Sequence, residues 1–412
     1  MNNTINSIKY FKLYISILFI FSVFYLYGKY NVGNDSTVSE WLINYEGGFT
    51  KRGLIGQIAI HIGEFLNISL RQSILFFQIF SIGLYYLLLI NFFKSVKFNK
   101  IILLSIFTPI FLLYPVAEIE VLGRKETIIF SFYLIYLTLQ NFRQKNYFRI
   151  FLLPLLMLVW EPVVFFFIFW LIVDYIEDAF EKNYKSLFKY LLTYIPAILI
   201  GAYIAMNPIS EIAHKNMAIF LKENFNENCY MSCALLLSKS SIYDQFQANF
   251  NLFNFEIFLR YFLIILIGFG PLFLLIKFSQ FRRLNNKIFF FSVVPPIFIL
   301  FMMMSDWGRI VNIFYTFSVI SFLYLHKKKL VFVNNKILEN FFVKVLNKKY
   351  IYTFFFIVFC FGWNPKTSLT GDIGTNPLWK IPYNASKRII GFDSIRLFQE
   401  STIMKWHKKY VE

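Results

Sequence analysis

Uncharged apolar runs that alternate with short clusters of Lys and Arg constrain this chain more than any other feature. The first run, residues 13–27, follows two lysines, and the second, residues 71–93, ends at three lysines within residues 94–100. About 20 apolar residues are needed to cross a bilayer as a helix, and short cytoplasmic loops collect Lys and Arg. The pattern predicts an all-α polytopic membrane protein, with the lipid bilayer as its first partner.

The composition excludes two other classes. Of the 412 residues, 58% are hydrophobic and 16% charged, whereas soluble domains carry about 25% charged residues. A water-soluble domain would leave too much apolar surface uncovered. The net charge of +18 could suit nucleic acid, but that partner requires Lys and Arg on one solvated face. Here many of them lie in brief turns between apolar runs, so we predict no nucleic-acid binding.

The orientation of the spans follows from the basic turns. No small-residue cleavage site follows the first run, where Tyr27 to Tyr30 are bulky and charged, so we expect an uncleaved anchor with a cytoplasmic N-terminus. Placing the basic turns, such as residues 143–149, in the cytoplasm gives about 11 transmembrane helices. Residues 150–176 are too long for one span, and Pro162 predicts a turn between two short opposed helices there. Pro295 and Pro296 predict a break in a later span.

Four regions result from this topology. We predict a membrane module with two charged external loops (residues 1–206), an external loop (207–256), C-terminal spans (257–363) and a basic tail placed outside (364–412). Residues 337–346 form a predicted amphipathic segment on the inner side.

The first external loop carries a dense mixture of charges. Glu46 and two glycines precede Lys51 and Arg52, and from Leu54 the apolar residues follow helical spacing, which predicts an amphipathic helix along the membrane surface. Paired glycines let backbone N–H groups approach an anion, and the two cations add charge. The alternative is a tight turn whose cations contact lipid head groups. We favour the functional interpretation, because a turn does not require so many charges.

The second external turn repeats acids followed by bases. Glu118 and Glu120 at two-residue spacing could share a divalent cation, and Arg124 and Lys125 suit a phosphate. An ordinary charged turn is the alternative. Glu161, at the predicted helical hairpin, and the outer turn with Asp306 and Arg309 add further ionisable groups on the same face, and such groups in a membrane protein are functional candidates.

The cysteines and histidines impose few constraints. Cys229 and Cys233 lie four residues apart in the predicted external loop, which fits either a local disulfide or two free small residues. The four histidines are scattered without metal-ligand spacing.

The layout of residues 1–206 resembles the GT-C superfamily of membrane glycosyltransferases, which use polyprenyl-phosphate-linked sugars. The similar features are the anchor leading into an acidic loop with a surface helix, the segment 65–71 entering the second span, the second acidic turn, and the Trp160-Glu161-Pro162 hairpin. The chain departs from the family where it lacks an Asp-Glu pair after the first span, has Glu161 in place of a lysine, and has no substantial soluble C-terminal domain. Its size, composition and segment 46–53 also resemble O-antigen and capsule polymerases.

The resemblance implies sugar or glycan transfer from an undecaprenyl-linked donor to a glycan acceptor at the periplasmic face of a bacterial inner membrane. A carboxylate would deprotonate the acceptor, with the candidates in the order Glu46, Glu118 or Glu120, and Asp35. Residues that would hold the phosphate or sugar are Lys51, Arg52, Arg124, Lys125, Glu161, Asp306 and Arg309. A divalent cation at Glu118 and Glu120 fits this scheme, which does not require it or any other cofactor. Other polysaccharide-assembly proteins are the expected partners.

Two alternatives stay open at this point. A transporter of polysaccharide or lipid-linked oligosaccharide would explain the interrupted helices, although the chain shows no matching halves and its charges gather at one face. A structural or assembly subunit would predict that no single charged residue matters.

Overall fold

A computed structural model describes residues 2–31, 35–177, 188, 190–237, 242–282, 284–334, 348–369 and 373. Within these ranges the chain is predominantly helical, with one two-stranded antiparallel sheet, which confirms the all-α class. The predicted amphipathic segment 337–346 and nearly all of the predicted tail beyond residue 369 lie outside the described residues.

The N-terminal half contains ten helices within the described residues. They are α1 (Asn2–Asn31), α2 (Ser36–Trp41), α3 (Gly53–Leu66), α4 (Leu70–Phe93), α5 (Lys100–Phe107), α6 (Tyr114–Ala117), α7 (Glu126–Thr138), α8 (Phe142–Tyr147), α9 (Leu153–Val159) and α10 (Phe167–Glu177). A π-helical turn (Phe148–Leu152) joins α8 to α9, and a 3-10 helix (Glu161–Phe166) leads into α10.

The C-terminal half continues with α11 (Ile195–Met206), α12 (Glu211–Phe225), α13 (Ile242–Leu252), α14 (Phe255–Gly268), α15 (Gly270–Lys277), α16 (Asn286–Met303), α17 (Trp307–Lys327) and α18 (Lys349–Phe361). A short 3-10 helix (Ala234–Leu237) lies between α12 and α13. Strands β1 (Ser279–Phe281) and β2 (Val331–Val333) pair antiparallel, with Gln280 opposite Phe332.

Four described helices are long and apolar enough to cross a membrane: α4, α16, α17 and the Ile8–Asn31 part of α1. Two helix pairs bent by 96°, α11 with α12 and α13 with α14, raise the number to six if each pair is one span. Several of the 11 predicted spans are shorter here. The segment 101–116, for example, divides into the eight-residue α5, a turn and α6.

Three local predictions can be compared directly with the structure. The helix predicted from Leu54 is present as α3, and its position along the membrane surface stays a prediction. The break predicted before Pro162 is present: α9 ends at Val159, and the backbone of Trp160 is extended. The break predicted at Pro295 and Pro296 is wrong, since α16 continues through both prolines. Membrane helices tolerate proline because neighbouring groups and local adjustments satisfy the carbonyls that lose a donor.

Helix α17 is the most deeply buried of the four long apolar helices, since 94% of the residues in its most apolar stretch are buried, and it therefore forms the centre of the bundle. Its polar side chains explain the irregular chain between α5 and α6. The Asn312 amide donates to the carbonyl oxygens of Ile110 and Phe111, both at 2.9 Å, and Tyr315 donates to the carbonyl of Ser105 at 2.6 Å. Buried backbone carbonyls need such partners, so α17 supplies hydrogen bonds that the interrupted helix lacks.

One end of α7, α10 and α17 is joined by a buried group of charged and aromatic side chains. We call it the Asp174 network; its members are Tyr136, Lys145, Arg149, Asp174, Glu177, Tyr190 and Tyr324. Arg149 donates to Asp174 at 2.9 Å and to Tyr190 at 2.8 Å, while Lys145 donates to Asp174 at 3.1 Å and to Glu177 at 2.5 Å. Lys145 and Arg149, expected in a basic turn, are buried ion-pair partners instead.

Candidate functional site

Helix α2 places a buried carboxylate at the opposite end of α7 and α17. Asp35 caps α2, because its side chain accepts hydrogen bonds from the backbone N–H of Thr37 at 2.8 Å and of Val38 at 3.2 Å. Lys29 lies 3.0 Å from the same carboxylate. Glu40, one turn further along, is fully buried. Asp35 therefore holds the short helix that delivers Glu40.

Three arginines surround Glu40. The nearest nitrogens belong to Arg124 at 3.3 Å, Arg52 at 3.6 Å and Arg309 at 3.7 Å. Burial by itself raises the pKa of Glu40, but these arginines together with Lys125 outweigh it and lower that pKa to about 2. The carboxylate is therefore ionised throughout the neutral range and holds the three cations in one place.

Arg52 connects the first loop to the helical hairpin. Its Nε and Nη2 atoms each donate to Glu161, both at 2.7 Å, in a bidentate pair. Lys51 Nζ lies 4.0 Å from the same carboxylate. The Lys51 and Glu161 side chains are 45% and 21% exposed, whereas Glu40 is not exposed at all. Solvent therefore reaches this group of charges from the side of Lys51 and Glu161.

Lys125 is a buried cation within the same group. Its Nζ donates to the backbone carbonyl of Arg52 at 2.6 Å and lies 6.0 Å from the ring centroid of Trp41. Burial lowers the pKa of Lys125 to about 8; the Glu40 carboxylate opposes this change and the Arg52 guanidinium adds to it. At pH 7 the amine is mostly protonated.

Gly123 fixes the position of the second turn. Its φ of +74° is favourable for glycine, and its carbonyl accepts hydrogen bonds from Trp41 at 2.8 Å and from Gln78 at 3.2 Å. The turn thereby presents Arg124 and Lys125 to Glu40.

Arg309, near the start of α17, completes the arrangement. Its Nε donates to Glu126 at 2.7 Å, and its Nη1 lies 3.4 Å from Asp306. One carboxylate oxygen of Glu126 and one of Glu40 are buried without a hydrogen-bond partner. We call the whole set the Glu40 network; its members are Glu40, Lys51, Arg52, Arg124, Lys125, Glu126, Glu161, Asp306 and Arg309. It holds five cations and four carboxylates, so an anion is favoured.

All seven predicted binding residues lie in the Glu40 network. They are Lys51, Arg52, Arg124, Lys125, Glu161, Asp306 and Arg309, and they come from four separate segments of the chain. Sequence reasoning did not assign a role to Glu40 or Glu126. The sequence signal that could have identified Glu40 was its position in the charged first loop, five residues after Asp35, a residue type that often caps the start of a helix.

The four predicted catalytic carboxylates lie around the network, outside its ion pairs. Glu46 is exposed and accepts a hydrogen bond from Gln57 at 2.6 Å. Glu118 is buried beside Lys366 at 3.1 Å. Glu120 is exposed, and its backbone carbonyl, at 2.8 Å, accepts from Arg124, while Asp35 caps α2. Their catalytic roles stay predictions.

The described start of the tail also contacts this end of the bundle. The backbone N–H of Gly308 donates to the Thr367 carbonyl at 3.1 Å, and that of Leu369 donates to the Ser305 carbonyl at 2.7 Å. A Cβ on Gly308 would lie 2.0 Å from the Lys366 carbonyl oxygen, so only glycine permits this approach. Sequence reasoning had no signal for Lys366.

The candidate metal ligands Glu118 and Glu120 are not part of a larger ligand group in the described part of the chain. The group of three suitable ligand side chains that does occur there is His214 with Cys229 and Cys233. These cysteines form a disulfide, which decides between the two alternatives left open by the sequence.

Comparison with known proteins finds no family model, curated protein or solved structure that matches this chain. The chemistry of the site therefore carries the functional argument. A group of five cations, most of them buried, that is held by carboxylates can bind phosphate through forked arginine contacts, and Glu161 offers a partly exposed carboxylate beside it.

Proposed function

We propose that this chain is a membrane glycosyltransferase or polymerase that uses sugars linked to undecaprenyl phosphate or pyrophosphate in surface-polysaccharide synthesis. The Glu40 network is the observation that supports it. It gathers five cations and an accessible carboxylate at one end of a bundle of apolar helices. A lipid-linked sugar phosphate needs both an apolar environment for its lipid and cations for its phosphate.

In the proposed reaction, the acceptor hydroxyl oxygen attacks the anomeric carbon of the donor sugar. The bond from that carbon to the phosphate oxygen breaks, and its electron pair leaves with the lipid phosphate. Arg52, Lys51 and Lys125 offset the charge that develops on the phosphate. The hydroxyl proton passes to a carboxylate, for which Glu161 is the first candidate, because it lies beside these cations and is partly exposed. Glu46 is the second.

Glu40 has a different part in this scheme. It is buried and paired with three arginines, so its charge keeps the cations in position before the donor arrives. Preorganised charges of this kind require no rearrangement during the reaction.

We place the Glu40 network at the periplasmic face of a bacterial inner membrane, in the topology of 11 spans. One observation supports this side. The segment 207–256 contains the Cys229–Cys233 disulfide and contacts the first loop, because the backbone N–H of Asp35 donates to the Tyr230 hydroxyl at 2.6 Å, and disulfides persist in oxidising compartments. The described start of the tail contacts the turn that precedes Arg309, so the proposal places it on the same side.

The test compares Glu161→Gln, Arg52→Lys and Glu46→Gln with the exposed control Glu64→Gln, since no role is assigned to Glu64. Surface-glycan ladders from cells with equal protein levels, and sugar transfer by purified protein in proteoliposomes, are the measurements. We expect transfer by Glu161→Gln to fall about 100-fold or more, and Arg52→Lys to lose most activity, since lysine lacks the bidentate fork. Normal glycan ladders and normal transfer in both Glu161→Gln and Arg52→Lys would refute the assignment of the site. Loss in Glu46→Gln with normal transfer in Glu161→Gln would move the base to Glu46.

A further inference from the structure

A second feature, apart from the Glu40 network, is a large apolar cavity in the C-terminal half. It has a volume of about 580 Å³ and is lined by residues of α13, α14, α15, α16 and α17 and of the connections beside them. Twelve of its 17 lining residues are aromatic, and Asn249 is the one amide among them. This volume lies within the range of ligand sites, about 300–1,000 Å³, but the lining offers almost nothing to a polar ligand.

The cavity is accessible from the side of the helices. The lining residues Phe258, Phe262 and Phe298 are at least half exposed, and they lie on helices α14 and α16. Helix α13 is fixed beside the opening by a hydrogen bond from the Asn249 amide to the Met302 carbonyl at 3.0 Å. In a bilayer these exposed aromatic side chains face hydrocarbon, so a hydrocarbon chain can enter laterally.

The cavity also adjoins the Glu40 network. Trp307 is part of the cavity lining and begins α17 directly after Asp306 of the network, which lies 3.4 Å from Arg309 on another face of the same turn. The Trp307 ring packs against Tyr261 with ring centroids 5.0 Å apart, and its indole N–H donates to the Phe301 carbonyl at 2.7 Å. A single rigid helix start thus joins an apolar cavity to a site with an excess of positive charge.

We propose that this cavity binds the hydrocarbon chain of a polyprenyl phosphate whose phosphate lies at the Glu40 network. This inference rests on the proposed function and adds the site of the lipid. Charge complementarity selects an anionic head group on the network side of Trp307. The aromatic lining offers almost no polar group, so it suits the long hydrocarbon chain that the proposed donor carries.

The experiment uses the full-length protein in nanodiscs and a long-chain polyprenyl phosphate that carries a diazirine on its chain. After irradiation, mass spectrometry locates the label. We expect label on peptides of α14 and α16, and its displacement by excess unlabelled polyprenyl phosphate. Val294→Trp places a large ring at a half-buried lining position, and labelling should fall at least tenfold. Ile299→Trp is the matched control, since Ile299 lies on the same helix, is exposed and does not line the cavity.

Competition in the wild-type protein keeps the test decisive if Val294→Trp does not fold. Displacement by polyprenyl phosphate but not by equal phosphatidylglycerol supports the proposal. Label elsewhere on the chain, or equal displacement by phosphatidylglycerol, overturns it, the latter because it indicates an ordinary bilayer lipid.

The two proposals can fail separately. Specific labelling of α14 and α16 together with normal transfer in every Arg52 and Glu161 variant would refute the proposed function and leave the lipid site standing. No labelling there, together with lost transfer in those variants, would refute the lipid site alone.

Discussion

Replacement of Glu40 by glutamine gives the strongest stability prediction. The change keeps the shape of the side chain but removes the charge that Arg52, Arg124 and Arg309 share. The fall in the Glu40 pKa from 4.5 to about 2 corresponds to about 3 kcal/mol at ~1.4 kcal/mol per pH unit. Removing one partner of a buried ion pair costs a similar ~3–5 kcal/mol. We expect Glu40→Gln to lower the free energy of unfolding by about 3 kcal/mol.

Thermal unfolding of the purified protein in detergent measures this effect, with Glu46→Gln as the matched control. Glu46 is a carboxylate of the same loop but is exposed, and surface substitutions change stability by about 0.5 kcal/mol or less. The control should therefore unfold close to the wild-type temperature, well above Glu40→Gln.

The pH dependence supplies a second readout. Because the folded-state pKa of Glu40 lies below its ordinary value, its contribution is complete above pH 4.5 and is lost as the pH falls toward 2. The difference in stability between wild type and Glu40→Gln should narrow over that interval. Equal stability of Glu40→Gln and Glu46→Gln at pH 7, or a difference that does not change between pH 5 and 3, would refute the reasoning.

Three further results are expected. Lys125→Met should weaken donor binding at pH 7 and flatten the pH dependence of binding between pH 7 and 9, because the wild-type amine loses its proton near its pKa of about 8. The same dependence of binding on pH in wild type and variant would contradict this. Gly308→Ala should lower both the unfolding temperature and transfer, since its Cβ would overlap a backbone oxygen, whereas Gly28→Ala, with open space around it, should change neither. Cys233→Ser should make the partly exposed Cys229 reactive toward maleimide without prior reduction, and labelling of Cys229 in unreduced wild-type protein would argue against the disulfide.

The sequence was sufficient to identify the cations of the Glu40 network. Charged residues are costly in a chain this apolar, so those next to predicted spans were expected to gather at a shared site. One consistent orientation of the loops placed Lys51, Arg52, Arg124, Lys125 and Arg309 together, and the structure brings them into one network.

The choice of partner for each cation could not be predicted. Arg124 contacts Glu40 across 84 residues, Arg52 contacts Glu161 across 109, and Arg309 contacts Glu126 across 183. Such pairs depend on how the helices pack, which no local pattern encodes. Glu40 was overlooked for this reason, although a residue with three arginine neighbours is the centre of the network.

The prediction of helix boundaries from the sequence was limited by a related problem. The segment 101–116 is apolar enough for a span, but carbonyls between α5 and α6 bond to Asn312 of α17. This tertiary contact stabilises a non-helical stretch that hydropathy cannot detect. Proline likewise predicts a break correctly at Pro162 and wrongly at Pro295, because the surroundings decide whether the carbonyls left without a donor are satisfied.

The two networks at the ends of α7, α10 and α17 have a mechanical consequence. Glu126 and Arg309 join α7 to α17 at one end, Glu161 ties the start of the hairpin to the first loop there, and Tyr136, Asp174 and Tyr324 belong to the network at the other end. Alternating-access transport requires helices to separate first at one end and then at the other. In this bundle, separation at the first end would break the buried Glu126–Arg309 ion pair, and separation at the other end would break the hydrogen bonds of Tyr136 with Asp174 and of Tyr324 with Glu177. Helices α7 and α17, tied in this way at both ends, therefore form a fixed frame, so the movement that the proposed function requires for substrate entry has to occur in the helices around them.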